Sequence, residues 1–144
     1  MRIDDRFPEL GIIPTTIVVA ILGIAMQLSG VWITMIIAGV FAGLFTRKTI
    51  SSFLAGFVGV AIAWTILFVY KIYTAQALEI ATFFIGLLGM SMGWLVIVIS
   101  IVIGAFLGGF GGILGRSLIE LLDSFISGQV MIEDEFPEEA IEGP

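Results

Sequence analysis

Glu79 is the residue whose type and surroundings most readily suggest chemistry, because it is a single acid placed between apolar segments. Ionisable side chains inside a membrane are costly and are retained for a function, so one hypothesis makes Glu79 a proton or ion site. The structural alternative places its carboxylate in the first turn of a helix, where it stabilises the helix dipole and contacts interfacial water. The sequence favours this structural role.

Most residue types that catalytic and cofactor sites need are missing from the sequence. It contains no His and no Cys, which excludes the usual proton shuttle, thiolate nucleophiles and the common zinc sites. The glycine-rich segment 108–112 lacks the lysine and the preceding strand of a phosphate-binding loop. We therefore predict a protein that is not an enzyme and uses no cofactor or metal. The net charge of −6 argues against nucleic acid as a partner.

The amino-acid composition indicates whether water or lipid surrounds most of the chain. Of the 144 residues, 59% are hydrophobic and 12% are charged, whereas a soluble domain has about 25% charged residues to wet its surface. Most of this chain must therefore contact lipid. This predicts an integral membrane protein, with the lipid bilayer as its first partner.

Three charge-free segments are long enough to cross a bilayer, which takes about 20 helical residues. They cover residues 10–46, 49–70 and 80–115. The first is long enough for two crossings and is interrupted at 27–30, where Gln, Ser and Gly favour a turn. The prediction is an all-α polytopic membrane protein in which four transmembrane helices form two hairpins. These helices lie at about 12–28, 31–46, 52–70 and 92–115.

The segment over 80–90 leaves the span count open. It is too short to cross alone and could lie at the interface, or it could form part of a fifth span. With four spans, five of the six basic residues share one side of the membrane, and Lys71 lies on the other. With five spans Arg116 would join Lys71 and weaken this asymmetry. Because Lys and Arg accumulate on the cytoplasmic side, we prefer four spans and predict that both termini are cytoplasmic.

Two parts of the sequence share a spacing of Trp, Gly and Arg. A Ser-x-x-Trp motif precedes the pattern Gly-x-x-x-Gly-x-x-x-Arg, which occurs over 39–47 and again over 108–116. The repeat suggests two hairpins related by an approximate two-fold axis, although chance convergence on common interface residues would give the same pattern. With four spans, the Trp residues lie at the outer interface and the basic residues at the inner one. The predicted interface anchors are Trp32, Trp94, Arg47, Lys48 and Arg116.

Glycines spaced four residues apart form faces on the second and last predicted spans. In lipid, helices associate through close contact of their backbones, and small residues permit that contact. Two roles fit these faces: packing of helices within one chain, or self-association between chains. The residues concerned are Gly39, Gly43, Gly104, Gly108 and Gly112.

The C-terminal end of the chain differs from the rest in its charge. The amphipathic pattern over 117–127 predicts an extension of the last helix that ends at Gly128, so residues 1–128 form the membrane-embedded unit. Residues 129–144 carry six acidic residues and no basic one, which predicts a disordered cytoplasmic tail. This tail is either a solvated segment or a docking peptide for a cytoplasmic partner.

Together these features predict a non-enzymatic integral membrane protein. It would be either a helical bundle that self-associates into a homo-oligomer or an accessory subunit of a larger membrane assembly. The alternative is a small oligomeric channel or carrier whose path runs between the glycine-lined helices.

Overall fold

The computed structural model describes residues 9–31 and 33–135, with side chains as far as residue 126. This part of the chain consists of helices, turns and short connections, and it contains no strand. The predicted all-α class is therefore confirmed. The helices are α1 (Ile12–Gln27), α2 (Thr34–Phe45), α3 (Thr49–Ala75), α4 (Ala77–Gly86) and α5 (Gly93–Glu135).

Among the described helices, α3 and α5 are long and apolar enough to cross a membrane. The 27 residues of α3 extend about 40 Å, more than the hydrocarbon thickness of about 30 Å. Helices α1, α2 and α4 have 16, 12 and 10 residues, which extend only about 24, 18 and 15 Å. Helix α2 is shorter than the predicted span over 31–46 because Val31 and Ile33 belong to the connection that precedes it.

The turn predicted at 27–30 is present and joins α1 to α2. The backbone N–H of Gly30 donates a hydrogen bond to the carbonyl oxygen of Gln27 (3.0 Å). Gly30 has a φ of +78°, which residues with a side chain rarely adopt. A second left-handed residue, Gln76 with a φ of +52°, separates α3 from α4. Because of this break, α4 is a separate short helix and not a continuation of α3.

Helix α5 is longer than the sequence analysis predicts. It continues through Gly128 and ends at Glu135, so the prediction that Gly128 ends the helix is wrong. A glycine inside a helix costs only about 1 kcal/mol relative to alanine, and residues on both sides of Gly128 can offset that cost. Residues 136–144 of the predicted acidic tail lie outside the described part of the chain.

Neighbours along α5 define its direction relative to α2 and α3. Gly104 lies near Trp64 and Gly112 near Ser52, so residue numbers on α3 fall as those on α5 rise. The two helices are therefore antiparallel. On α2 the numbers rise together with those on α5, from Met35 near Gly104 to Gly43 near Gly112, which makes α2 and α5 parallel.

Helices α2 and α3 lie between α1 and α5, and each contacts both. Helix α1 runs parallel to α3, since Val19 lies near Gly59 and Gly23 lies near Ala63. Helix α4 packs mainly against α5, where Gly93 lies next to Thr82. Helices α1 and α5 form no contact comparable to that between α2 and α3. An exact two-fold relation between the hairpins α1–α2 and α3–α5 would require α1 to contact α5 as α2 contacts α3. Among the helices described here, this contact is missing.

Small residues fill the interior, and large apolar residues cover the outside. The buried set includes Ala38, Ala42, Ala55, Ala63 and Ala105, together with the glycines of α2 and α5. Large side chains such as Ile13 (77% exposed) and Leu88 (80% exposed) point outward. A soluble protein rarely exposes apolar surface on this scale, whereas a protein in lipid gains from close packing of its backbones.

Candidate functional site

The backbones of three helices meet at Gly108 of α5. A methyl group added at Gly39 of α2 or at Gly56 of α3 would overlap the carbonyl oxygen of Gly108. A methyl group at Gly108 itself would lie 2.6 Å from the carbonyl oxygen of Gly56 and 2.7 Å from Cβ of Val60. These distances are shorter than the optimal contact of about 3.5–4.0 Å between carbon atoms. Glycine is therefore the residue that fits each of these positions.

The same close approach continues one turn further along α5. A methyl group at Gly112 would overlap the carbonyl oxygen of Ser52, and one at Gly43 would lie 2.8 Å from the carbonyl oxygen of Gly112. Gly104 differs, because its neighbours are the ring of Trp64 at 3.1 Å and the sulfur of Met35 at 3.5 Å. All five glycines singled out in the sequence are buried between helices of one chain.

Two hydroxyl groups form a buried pair where α2 connects to α3. The Thr46 hydroxyl donates to the carbonyl oxygen of Ala42 (2.7 Å), and its Oγ1 lies 2.5 Å from Oγ of Ser52. Oγ of Ser52 also lies 3.2 Å from the carbonyl oxygen of Lys48, so its single proton is shared between that oxygen and Oγ1 of Thr46. This pair fixes the connection beside the glycine contacts.

Basic residues lie at the same end of the molecule as this hydroxyl pair. Arg116 is buried next to Gly43, and its Nε donates to Oε1 of Glu120 (2.8 Å). Arg47 is exposed, and its Nε lies 3.4 Å from a carboxylate oxygen of Glu9. Arg116 is thus a charge held inside the helix contact rather than an anchor open to the interface. The Arg116–Glu120 pair was missed in the sequence, although its spacing of four residues on one helix indicates it.

Two of the remaining predicted anchors and the candidate ion site are on the surface. Lys48 and Trp94 are exposed, and Trp32 lies outside the described residues. Glu79 is exposed in the first turn of α4, which is the location that its structural role requires. Within the described residues, no group of three or more Asp, Glu, His or Cys could hold a metal ion.

A polar cleft lies at the opposite end of the helices, beside the turn between α1 and α2. Its volume is about 310 Å³, and it is lined by Gln27, Leu28, Gly30, Trp64, Leu67, Phe68 and Lys71. Oε1 of Gln27 and Nε1 of Trp64 are both buried, and neither has a hydrogen-bond partner among the described residues. Each such atom costs about 1–3 kcal/mol unless a partner satisfies it. We call this site the Gln27–Trp64 cleft.

The sequence did not predict the Gln27–Trp64 cleft. Gln27 was interpreted as a turn residue, and Trp64 was not singled out. Their proximity depends on α1 and α3 being parallel, which places residue 27 beside residues in the second half of α3. The signal available in the sequence was the presence of Gln27, Trp64 and Lys71 toward the same predicted side of the membrane.

Two apolar grooves continue from the Gln27–Trp64 cleft. The first, of about 380 Å³, lies between α3, α4 and α5 and shares Phe68 and Lys71 with the cleft. The second, of about 590 Å³, lies between α4 and α5 and shares Phe84, Val96 and Ser100 with the first. The cleft residues Trp64, Gln27 and Lys71, which offer a donor, an acceptor and a cation, therefore lie next to these two apolar grooves on the outer surface of the helices.

Comparison with known proteins assigns no family to the chain, which matches no protein-family model, no curated protein and no solved structure. Its function is therefore argued from the geometry of the chain itself.

Proposed function

We propose that the chain is a non-enzymatic integral membrane protein that either self-associates or serves as an accessory subunit of a membrane assembly. The observation that carries this proposal is the distribution of side chains, with small residues buried and large apolar residues exposed on every helix. That distribution is stable only where lipid or another apolar partner covers the outside. Five Thr side chains of α1, α3 and α4 donate to carbonyl oxygens four residues earlier in the chain, which is a structural role.

Four spans fit the arrangement of the helices better than five. Helices α1, α2, α3 and α5 alternate in direction. Helices α1 and α2 have only 16 and 12 residues, so in this topology the residues next to them complete the two crossings; α4 is the shortest helix, with 10 residues. Arg116 lies beside Gly43, at the end of the molecule where α2 leads into Arg47 and Lys48. An even number of crossings between Arg47 and Arg116 follows from this proximity. By the positive-inside rule this end is cytoplasmic, and both termini lie on that side.

The glycine contacts support packing within one chain as their role. They bring the backbones of α2, α3 and α5 together, which is the contact that drives helix association in lipid. Self-association would then use another surface, because the five glycines are buried in the single chain. The same contacts argue against the alternative of a channel or carrier path between the glycine-lined helices, since even a methyl group does not fit between Gly39 and Gly108.

Reconstitution distinguishes the two functions. The purified chain is solubilised in mild detergent for mass measurement and inserted into liposomes loaded with ions and small solutes. We expect resistance to extraction by alkaline carbonate, a single defined mass or complex, and no solute flux above that of empty liposomes. Flux of a specific solute would refute the accessory role, and release by carbonate would refute membrane integration. The acidic segment 129–144 stays predicted as either a solvated tail or a docking peptide. Its deletion tests these alternatives, because only a docking peptide would lose a cytoplasmic protein from the purified complex.

A further inference from the structure

We propose that the Gln27–Trp64 cleft binds the head group of an anionic phospholipid whose head also carries a hydroxyl group. This inference rests on the proposed membrane location and adds a ligand class to it. The first observation is the pair of buried atoms, Oε1 of Gln27 and Nε1 of Trp64, that lack a partner among the described residues. The residues Gln27 and Trp64 line one cleft, and these two atoms form no hydrogen bond with each other. A ligand that completes the site must therefore both accept and donate.

The chemistry of the lining defines the head group. The indole N–H of Trp64 donates only, and the ammonium of Lys71 donates and carries positive charge. Both are satisfied by the oxygens of a phosphate diester. The amide oxygen of Gln27 accepts, so it requires a donor such as a hydroxyl of a glycerol head group. A choline head group offers no such donor and adds a positive charge next to Lys71.

The apolar grooves define the rest of the ligand. The groove between α3, α4 and α5 begins at Phe68 and Lys71, which also line the cleft. Long side chains such as Lys71 place an apolar stem along such a groove and a charged end at the polar site. One acyl chain of a lipid can therefore follow the groove while its phosphate contacts the Trp64 side of the cleft. A free phosphate ester would use the cleft alone and gain nothing from the groove.

The location of the cleft matches a lipid head group. It lies beside the 27–30 turn and near the C-terminal end of α3, away from the buried glycine contacts. In the four-span topology this is the membrane interface on the non-cytoplasmic side. Head groups of that leaflet reach the cleft without crossing the hydrocarbon region.

Lipid titration of the full chain in neutral detergent tests the proposal. Three probes are compared by native mass spectrometry: phosphatidylglycerol, phosphatidylcholine with the same acyl chains, and glycerol phosphate without acyl chains. We expect phosphatidylglycerol to bind about tenfold more tightly than phosphatidylcholine, as charge-assisted hydrogen bonds imply. Glycerol phosphate should show no saturable binding. Equal binding of the two lipids would overturn the proposal, and tight binding of glycerol phosphate would assign the cleft to a soluble anion instead.

Matched variants locate the binding. Trp64→Phe keeps an aromatic ring beside Gly104 but removes the N–H, and Lys71→Gln removes the charge at an exposed position. Each should reduce the preference for phosphatidylglycerol several-fold. The controls Trp94→Phe and Lys48→Gln change the same residue types outside the cleft and should preserve it. An unchanged preference in both cleft variants, or an equal loss in the controls, would refute the assignment. Loss of lipid preference with carbonate resistance intact would leave the proposed membrane function standing.

Discussion

The contact at Gly108 gives the sharpest prediction for the stability of the fold. Gly108→Ala adds one methyl group whose carbon would lie 2.6 Å from the carbonyl oxygen of Gly56 and 2.7 Å from Cβ of Val60. To restore normal contact, α3 and α5 must separate by about 1 Å. Because one neighbour is backbone and the other is a β-branched side chain, neither moves away by a simple rotation.

The magnitude follows from two opposing effects. Alanine favours the helix by about 0.5–1 kcal/mol relative to glycine. Overpacking of a close contact costs about 1–3 kcal/mol. We therefore expect Gly108→Ala to lower the free energy of unfolding by about 1–2 kcal/mol. The matched control is Gly86→Ala, where no atom lies within 4 Å of the added methyl group and the φ is negative.

Reversible unfolding by SDS in mixed micelles measures both variants under the same conditions. The result expected is a loss for Gly108→Ala and no loss for Gly86→Ala, with the mass of the detergent complex unchanged in both. The variant Val60→Ala keeps Cβ of Val60 but removes its Cγ2, which the added methyl group also overlaps, so the double variant with Gly108→Ala should recover part of the loss. The reasoning is refuted if Gly108→Ala is as stable as Gly86→Ala. A change of mass in Gly108→Ala alone would instead place this glycine in a contact between chains.

Three further predictions concern polar contacts and a turn. Ser52→Ala removes the hydroxyl that pairs with Thr46 and contacts the carbonyl oxygen of Lys48, and it should cost about 1 kcal/mol in the same unfolding assay, whereas the neighbouring Ser51→Ala should cost less than half as much. Glu120→Gln removes one ion-pair partner of the buried Arg116 and should also cost about 1 kcal/mol, a value kept small by the exposure of Glu120. The cost of Glu120→Gln should be smaller at high salt, and an equal cost at low and high salt would contradict an ionic contribution. Gly30→Ala forces a side chain into a φ of +78° and should cost about 1–2 kcal/mol, so a neutral result would show that the turn rearranges.

The sequence predicted the features that depend on local charge and small residues. The uncharged stretch between Lys48 and Lys71 predicted α3, and Gln, Ser and Gly at 27–30 predicted the first turn. The equal spacing of the two glycine patterns pointed to residues that the structure places beside one another, Gly39 and Gly108 among them. These signals are visible in sequence because each arises from a few neighbouring residues.

Features that depend on distant residues could not be predicted in the same way. The Gln27–Trp64 cleft exists because α1 and α3 are parallel, and that direction is set by packing at Gly59 and Ala63. The end of α5 was misplaced because Gly128 was taken to end the helix, although a glycine within a helix costs only about 1 kcal/mol relative to alanine. The burial of Arg116 likewise depends on its neighbour Gly43 on another helix.

Cysteine accessibility in sealed vesicles tests the proposed topology most directly, because the chain has no cysteine of its own. Single cysteines replace exposed residues at the two ends of the helices, with Ser29→Cys and Thr74→Cys at one end and Thr49→Cys and Ser124→Cys at the other. A membrane-impermeant maleimide should label the first pair from the outside, and the second pair only after the vesicles are opened. Labelling of Thr49→Cys and Ser124→Cys from opposite sides would contradict the four-span topology. Labelling of all four from one side would contradict membrane crossing altogether.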